Sequence, residues 1–168
     1  SCSSKPKTKI GVGVATMQES VYSFMKDAMF KEKASDVSIL WLSADNIEAN
    51  QAANVEDLIT QKVKAIILHP VNTTAASVLV KKVKDAGIPL VAMDRLPQNA
   101  PVDVYVTADS YKVGKIQAEY LVEKINKKDN VIILQGEAGN DVARDITRGN
   151  LDVLKKHPGI KIVANQAH

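Results

Sequence analysis

From Lys9 onward the chain alternates between two hydrophobic rhythms. Short runs rich in Val and Ile at 10–15, 37–42, 65–68, 90–93, 102–107, 131–134 and 160–164 have the length and β-branched character of strands. Between most of them lie longer segments with helical spacing. Ile47, Val55, Leu58 and Ile59 share one face of 47–62. Ala75, Leu79, Val83 and Ala86 share one face of 74–86, and Val113, Ile116, Tyr120, Leu121 and Ile125 one face of 110–127. Asp45 or Asn46, Thr73 or Thr74, Asp109 and Asn140 are the expected N-caps. Gly87 before Ile88-Pro89 and the triplet His157-Pro158-Gly159 read as turns into the next strand. The strands are apolar on both faces, as a parallel sheet between helix layers requires. The stretch 96–101 holds two prolines and is too short for a helical crossover, so a loop is expected there. These features predict an α/β fold: a doubly wound, mostly parallel sheet of six or seven strands with helices on both faces.

Length and composition narrow the classes. With 168 residues, 45% hydrophobic and 24% charged, the chain can bury a full-sized core. Residues 9–168 are therefore assigned to one lobe, preceded by a tether at 1–8. No apolar run approaches the ~20 residues of a membrane-spanning helix. A net charge of +3 with mixed signs gives no nucleic-acid footprint. One cysteine allows neither a disulfide framework nor a Cys-rich zinc site. That cysteine, Cys2, stands after Ser1 and before a polar Ser-Lys-Pro tether. The pattern looks like the processing point of a bacterial lipoprotein, with lipid on Cys2 as the only membrane contact and an extracytoplasmic or cell-surface location. The chain stops just after a strand with no closing helix, which predicts one lobe of something larger.

Ligands of an open α/β sheet sit outside the carboxyl ends of the strands. Residues placed there are Tyr22 beyond the first strand, His69 after the third, Asp94 and Arg95 after the fourth, and Asn140, Asp141 and Arg144 after the sixth. Asp, Asn and Arg can each hold neighbouring hydroxyls, and an aromatic ring can stack on a sugar's C–H face. No nucleophile stands beside a base, and no metal-ligand cluster or cofactor motif is visible. Gly11-Val12-Gly13 begins a dinucleotide fingerprint but lacks its third glycine and lies inside the strand pattern, so a dinucleotide-binding enzyme domain is the weakest alternative. Gly114 is expected at a helix–helix or helix–sheet contact, Asp109 as a cap, and Trp41 in the core.

The segments Lys9-Ile10-Gly11, Ala65 to Asn72, Ile88 to Arg95, Val104 to Gly114 and Gly136 to Arg144 resemble the periplasmic sugar-binding proteins of ABC importers. The likeness lies within the ribose and glucose/galactose group, and most of all with the D-xylose-binding proteins. It implies that Asp94 and Arg95 hold sugar hydroxyls, that Tyr22 takes the place of a stacking Trp, and that Asp141 and Arg144 contact the sugar. His69 falls where ribose binders carry a contacting Asn. Val21 and Ala143 replace an Arg and an Asn that the group uses, which leaves the sugar's identity open. The resemblance further implies a monosaccharide ligand, a pentose in first place, and an N-terminal lobe whose C-terminal lobe is missing. The partner would be an ABC permease or, for a sugar sensor, a membrane histidine kinase ectodomain. The effector domain of a sugar-responsive repressor is disfavoured by the tether, which carries no helix-turn-helix.

Overall fold

The computed structural model describes residues 7–167. The tether, with Cys2, lies almost wholly outside the described residues. The chain divides into two compact units, one ending at Val106 and one beginning at Thr107.

The first unit runs β1 (Thr8–Val14), α1 (Ser20–Glu32), β2 (Val37–Ser43), α2 (Glu48–Thr60), β3 (Ala65–Leu68), α3 (Ala76–Asp85), β4 (Leu90–Met93) and β5 (Val104–Val106). Its five strands are all parallel, in the order β2-β1-β3-β4-β5. Strand alternation sorts the core into two layers. Val12 and Val14 pack with Met93, Met25 and Met29 on the face that α1 covers. Ile66, Leu68 and Leu90 pack with Val55, Leu58, Leu79, Val80 and Val83 on the face that α2 and α3 cover. Trp41 joins the first layer and donates its indole N–H to Met17 Sδ at 3.2 Å. As expected, β4 reaches β5 through a connection without a helix.

The second unit runs α4 (Ser110–Lys124), β6 (Asp129–Leu134), α5 (Asp141–Leu154) and β7 (Ile160–Gln166). Its core is Ala118, Val122, Val131, Ile133, Val153, Leu154 and Ile160. Gly114 lies at the expected helix–helix contact: a Cβ there would stand 2.0 Å from Ile146 O, and one on Gly149 2.2 Å from Tyr111 O.

Seven strands thus form, but the single sheet of six or seven expected over residues 9–168 is instead five strands and a separate pair. The reason is local. β6 and β7 hydrogen-bond only to each other among the described strands, and α4 and α5 bury their own cluster against them. Two expected caps also move. α2 and α3 are preceded by Ile47 and Ala75, which make no side-chain cap bond. Asp45 and Asn46 take left-handed backbone, with φ of 52° and 59°, instead of the extended cap conformation. Asn72, not Thr73 or Thr74, accepts from the N–H groups of Thr74 and Ala75 ahead of α3. Asp109 and Asn140 do cap α4 and α5.

Gly11 and Gly13 lie within β1, where no phosphate could use them as a loop. Gly11 is required by packing: its missing Cβ would stand 2.8 Å from both terminal methyls of the fully buried Leu58. Gly11→Val should therefore overpack the α2 face and cost about 1–3 kcal/mol. A lower urea midpoint at unchanged slope is expected; an unchanged midpoint would mean that Leu58 has room to move.

Candidate functional site

In the order β2-β1-β3, the chain leaves β1 on one side for β2 and returns on the other for β3. The carboxyl ends of β1 and β3 therefore flank a topological switch, where an open α/β sheet leaves a crevice. Ala15 follows β1 there and His69 follows β3. His69 is pinned at that point through its backbone. Its N–H donates to Gly13 O at 2.8 Å, and its carbonyl accepts from Gln51 Nε2 at 2.9 Å.

Four predicted site residues gather around this point. His69 is 0% exposed. Its Nδ1 lies 3.3 Å from Ala15 N, and its Nε2 lies 3.2 Å from the Tyr22 hydroxyl and 3.4 Å from Asp94 Oδ2. Tyr22, on the buried side of α1, is 5% exposed, with its ring tilted against the imidazole at 4.8 Å. Tyr22 and His69 therefore lie beneath the rim, and neither offers an open ring face to solvent. Asp94 is the outward member, with 41% of its side chain exposed. It holds φ at 65°, a left-handed conformation, while Arg95 N–H donates to Met93 O at 2.8 Å across it. Such a turn stores strain, and strain of this kind gathers at ligand sites. The Tyr105 hydroxyl steadies the turn by donating to Asp94 O at 2.9 Å. Arg95 is buried and donates from Nη1 to Pro70 O and Val71 O, so its guanidinium locks the loop after β3 to the loop after β4.

The Asp94 carboxyl is held below its ordinary value of 3.8. The hydrogen bond from His69 is the main cause. Partial burial opposes it, and electrostatic attraction toward His69 and Arg95 adds smaller pulls in the same direction. A carboxylate thus stands ionised at the rim, ready to accept from hydroxyl donors.

The remaining predicted residues belong to the second unit. Asn140 accepts from Val142 N and Ala143 N, so its side chain serves the start of α5. Asp141 is buried. Arg144 is exposed, 3.9 Å from Asp145, and lines an open cavity of about 520 Å³ with Gln135, Gly136, Glu137, Thr147 and Arg148. Among the described residues no His/Cys/Asp/Glu group could hold a metal, and no helix is long and apolar enough to cross a membrane.

Two supporting residues escaped the sequence reading. Tyr105 is one. The other is Gln51, nearly fully buried, whose Oε1 accepts from Val71 N at 2.8 Å while its Nε2 serves His69 O. Its signal was a polar residue four and seven positions before Val55 and Leu58, on the apolar stripe of α2. Gln51→Met keeps the volume and strands the buried carbonyl of His69 and the partly buried N–H of Val71. It should cost about 1–3 kcal/mol in chemical denaturation. A loss under about 0.5 kcal/mol would show that the loop finds other partners.

An ionised carboxylate backed by a buried polar network thus stands beside the switch of a parallel sheet, the place where open α/β sheets bind their ligands. Comparison with known proteins agrees in class. Residues 10–168 match the Periplasmic binding protein domain, and the chain belongs to that family. It is 30% identical over 142 residues to the ribose import binding protein RbsB of Bacillus subtilis, covering 84% of this chain and 47% of that protein. A solute-binding protein of an ABC transporter from Bacillus halodurans, solved with bound myo-inositol, matches with a TM-score of 0.90 at 30% identity, over 98% of this chain and 58% of that one. The fructose-binding periplasmic domain of a hybrid two-component system matches at 0.89 and 25% identity, over 95% and 53%. The chain spans about half the length of the relatives it matches.

Proposed function

We propose that this chain is the ligand-capturing part of an extracytoplasmic solute-binding protein that holds a monosaccharide-sized polyol for ABC-type import and performs no chemistry on it. Asp94 carries the reading. It is an ionised, half-exposed carboxylate beside the switch point, in a strained turn next to the buried His69 and Arg95. One carboxylate accepts from two neighbouring hydroxyls, which is what a sugar or cyclitol presents. Arg95 sets the shape of the rim, and Asn140, Asp141 and Arg144 are proposed as sugar contacts on the resemblance alone. A pentose is favoured, D-xylose first, from the likeness of 88–95 and 104–114 to D-xylose binders and from the similarity to a ribose import protein. A cyclitol comes next, because of the similarity to a protein holding myo-inositol. Lipid on Cys2 would tether the protein to a membrane surface.

A second reading, a sensor that reports its ligand to a membrane histidine kinase, is supported by the likeness to a periplasmic domain of a two-component system. The two readings share the site and differ in the docking partner, so measured binding to a permease or to a kinase ectodomain separates them.

Thermal melting of the full-length protein with D-xylose, D-ribose, D-glucose, D-fructose and myo-inositol tests the common claim. At least one should raise Tm at millimolar concentration; no shift with any would overturn the reading. For the sugar that binds, Asp94→Ala should weaken affinity by about 2–4 kcal/mol, since the loss leaves the ligand's hydroxyls and the His69 ring without their acceptor. A change under about 0.5 kcal/mol by calorimetry would remove Asp94 from the site.

A further inference from the structure

The imidazole of His69 has no surface of its own, yet it joins three sequence-distant pieces of the rim. A backbone N–H can only donate, so the 3.3 Å contact from Ala15 N makes His69 Nδ1 an acceptor without a proton. In the neutral ring the single proton must then be on Nε2. That N–H points at the Tyr22 hydroxyl on α1 and at Asp94 Oδ2 beyond β4. We propose that His69 is a positioning residue of the polyol site, fixed as the Nε2–H tautomer by Ala15, whose buried proton orients the Asp94 carboxylate toward the ligand. The proposal rests on the function argued above.

Its chemistry is that of an outer-shell orienter. Without His69, Asp94 would keep its strained backbone but lose the bond that fixes its carboxylate plane. The ionisable groups around that carboxylate are His69 from the end of β3, Tyr22 from α1, the adjoining Arg95, and Tyr105 from β5, which bonds the Asp94 carbonyl. His69 is the largest influence holding the Asp94 carboxyl low. Removing it must move that titration upward, whereas a purely space-filling role would leave it in place.

Two substitutions separate the nitrogens. His69→Asn keeps an acceptor near the Nδ1 position for Ala15 but cannot reach Asp94. His69→Gln restores an N–H near the Nε2 position and gives up the Ala15 bond. Carbon-detected NMR of the Asp94 carboxyl, assigned with Asp94→Asn, should give a higher titration midpoint in H69N and a partial return in H69Q. For the sugar that binds, affinity should fall about tenfold in H69N and recover in H69Q. An unmoved carboxyl midpoint in H69N overturns the proposal. So does unchanged affinity in H69N when the parent protein binds sugar. If the midpoint moves but no sugar binds the parent, the positioning role stands and the ligand assignment falls. Should either variant fail to fold, the long-range proton–nitrogen spectrum of the parent imidazole decides alone. An Nε2–H pattern is expected, and an Nδ1–H pattern would refute the assignment.

Discussion

The parallel pairing of β1 with both β2 and β3 is the constraint from which the rest of the first unit follows. Two strand ends lie side by side while their connections depart in opposite directions, which is where an open α/β sheet places its ligand. Hydrogen-bonded polar residues lie beneath those strand ends. His69 is held through its backbone by Gly13 and Gln51 and through its ring by Ala15, and Gln51 in turn holds Val71. Arg95 then ties the loop after β3 to the turn at Asp94. Buried, hydrogen-bonded residues thus stand beneath one outward carboxylate, which is the preorganisation that the proposed neutral, polyhydroxylated guest would require.

Much of this was legible in the residues. Val/Ile runs marked every strand, and Gly87 and Pro158 marked turns. Pro97 and Pro101 announced that β4 reaches β5 without a helix. Pairing partners were not legible. β6 and β7 carry Val/Ile runs as β1 and β3 do, and such runs do not say which neighbour a strand will choose. The division after Val106 therefore came from contacts alone. The caps at Asp45 and Thr73 failed for a related reason. Asp, Asn and Thr favour turns as much as caps, and here the chain needed left-handed turns after β2 and a side-chain-closed turn at Asn72.

At the site, residue types pointed to hydrogen-bonding chemistry, but their depth was hidden. A histidine after a strand can face solvent or lie beneath it, and the deciding partner is the backbone of Ala15, which has no sequence signature. Tyr22 was expected as a stacking surface. Its placement at 5% exposure, bonded to His69, follows from lying on the α1 face that packs against β1. Gln51 shows the opposite case: its position on the stripe of Val55 and Leu58 is readable as a buried polar residue in search of partners.

The second unit obeys a different rule of rigidity. At Gly114 and Gly149 the two helices meet backbone to backbone, with a carbonyl oxygen where each Cβ would be. Contacts between side chains can slip by changing rotamer, but main-chain atoms in van der Waals contact have no such reserve. α4 and α5 must then translate together or not at all, so any adjustment of the Arg144 cavity falls to the loop from Gln135 to Gly139 that borders it.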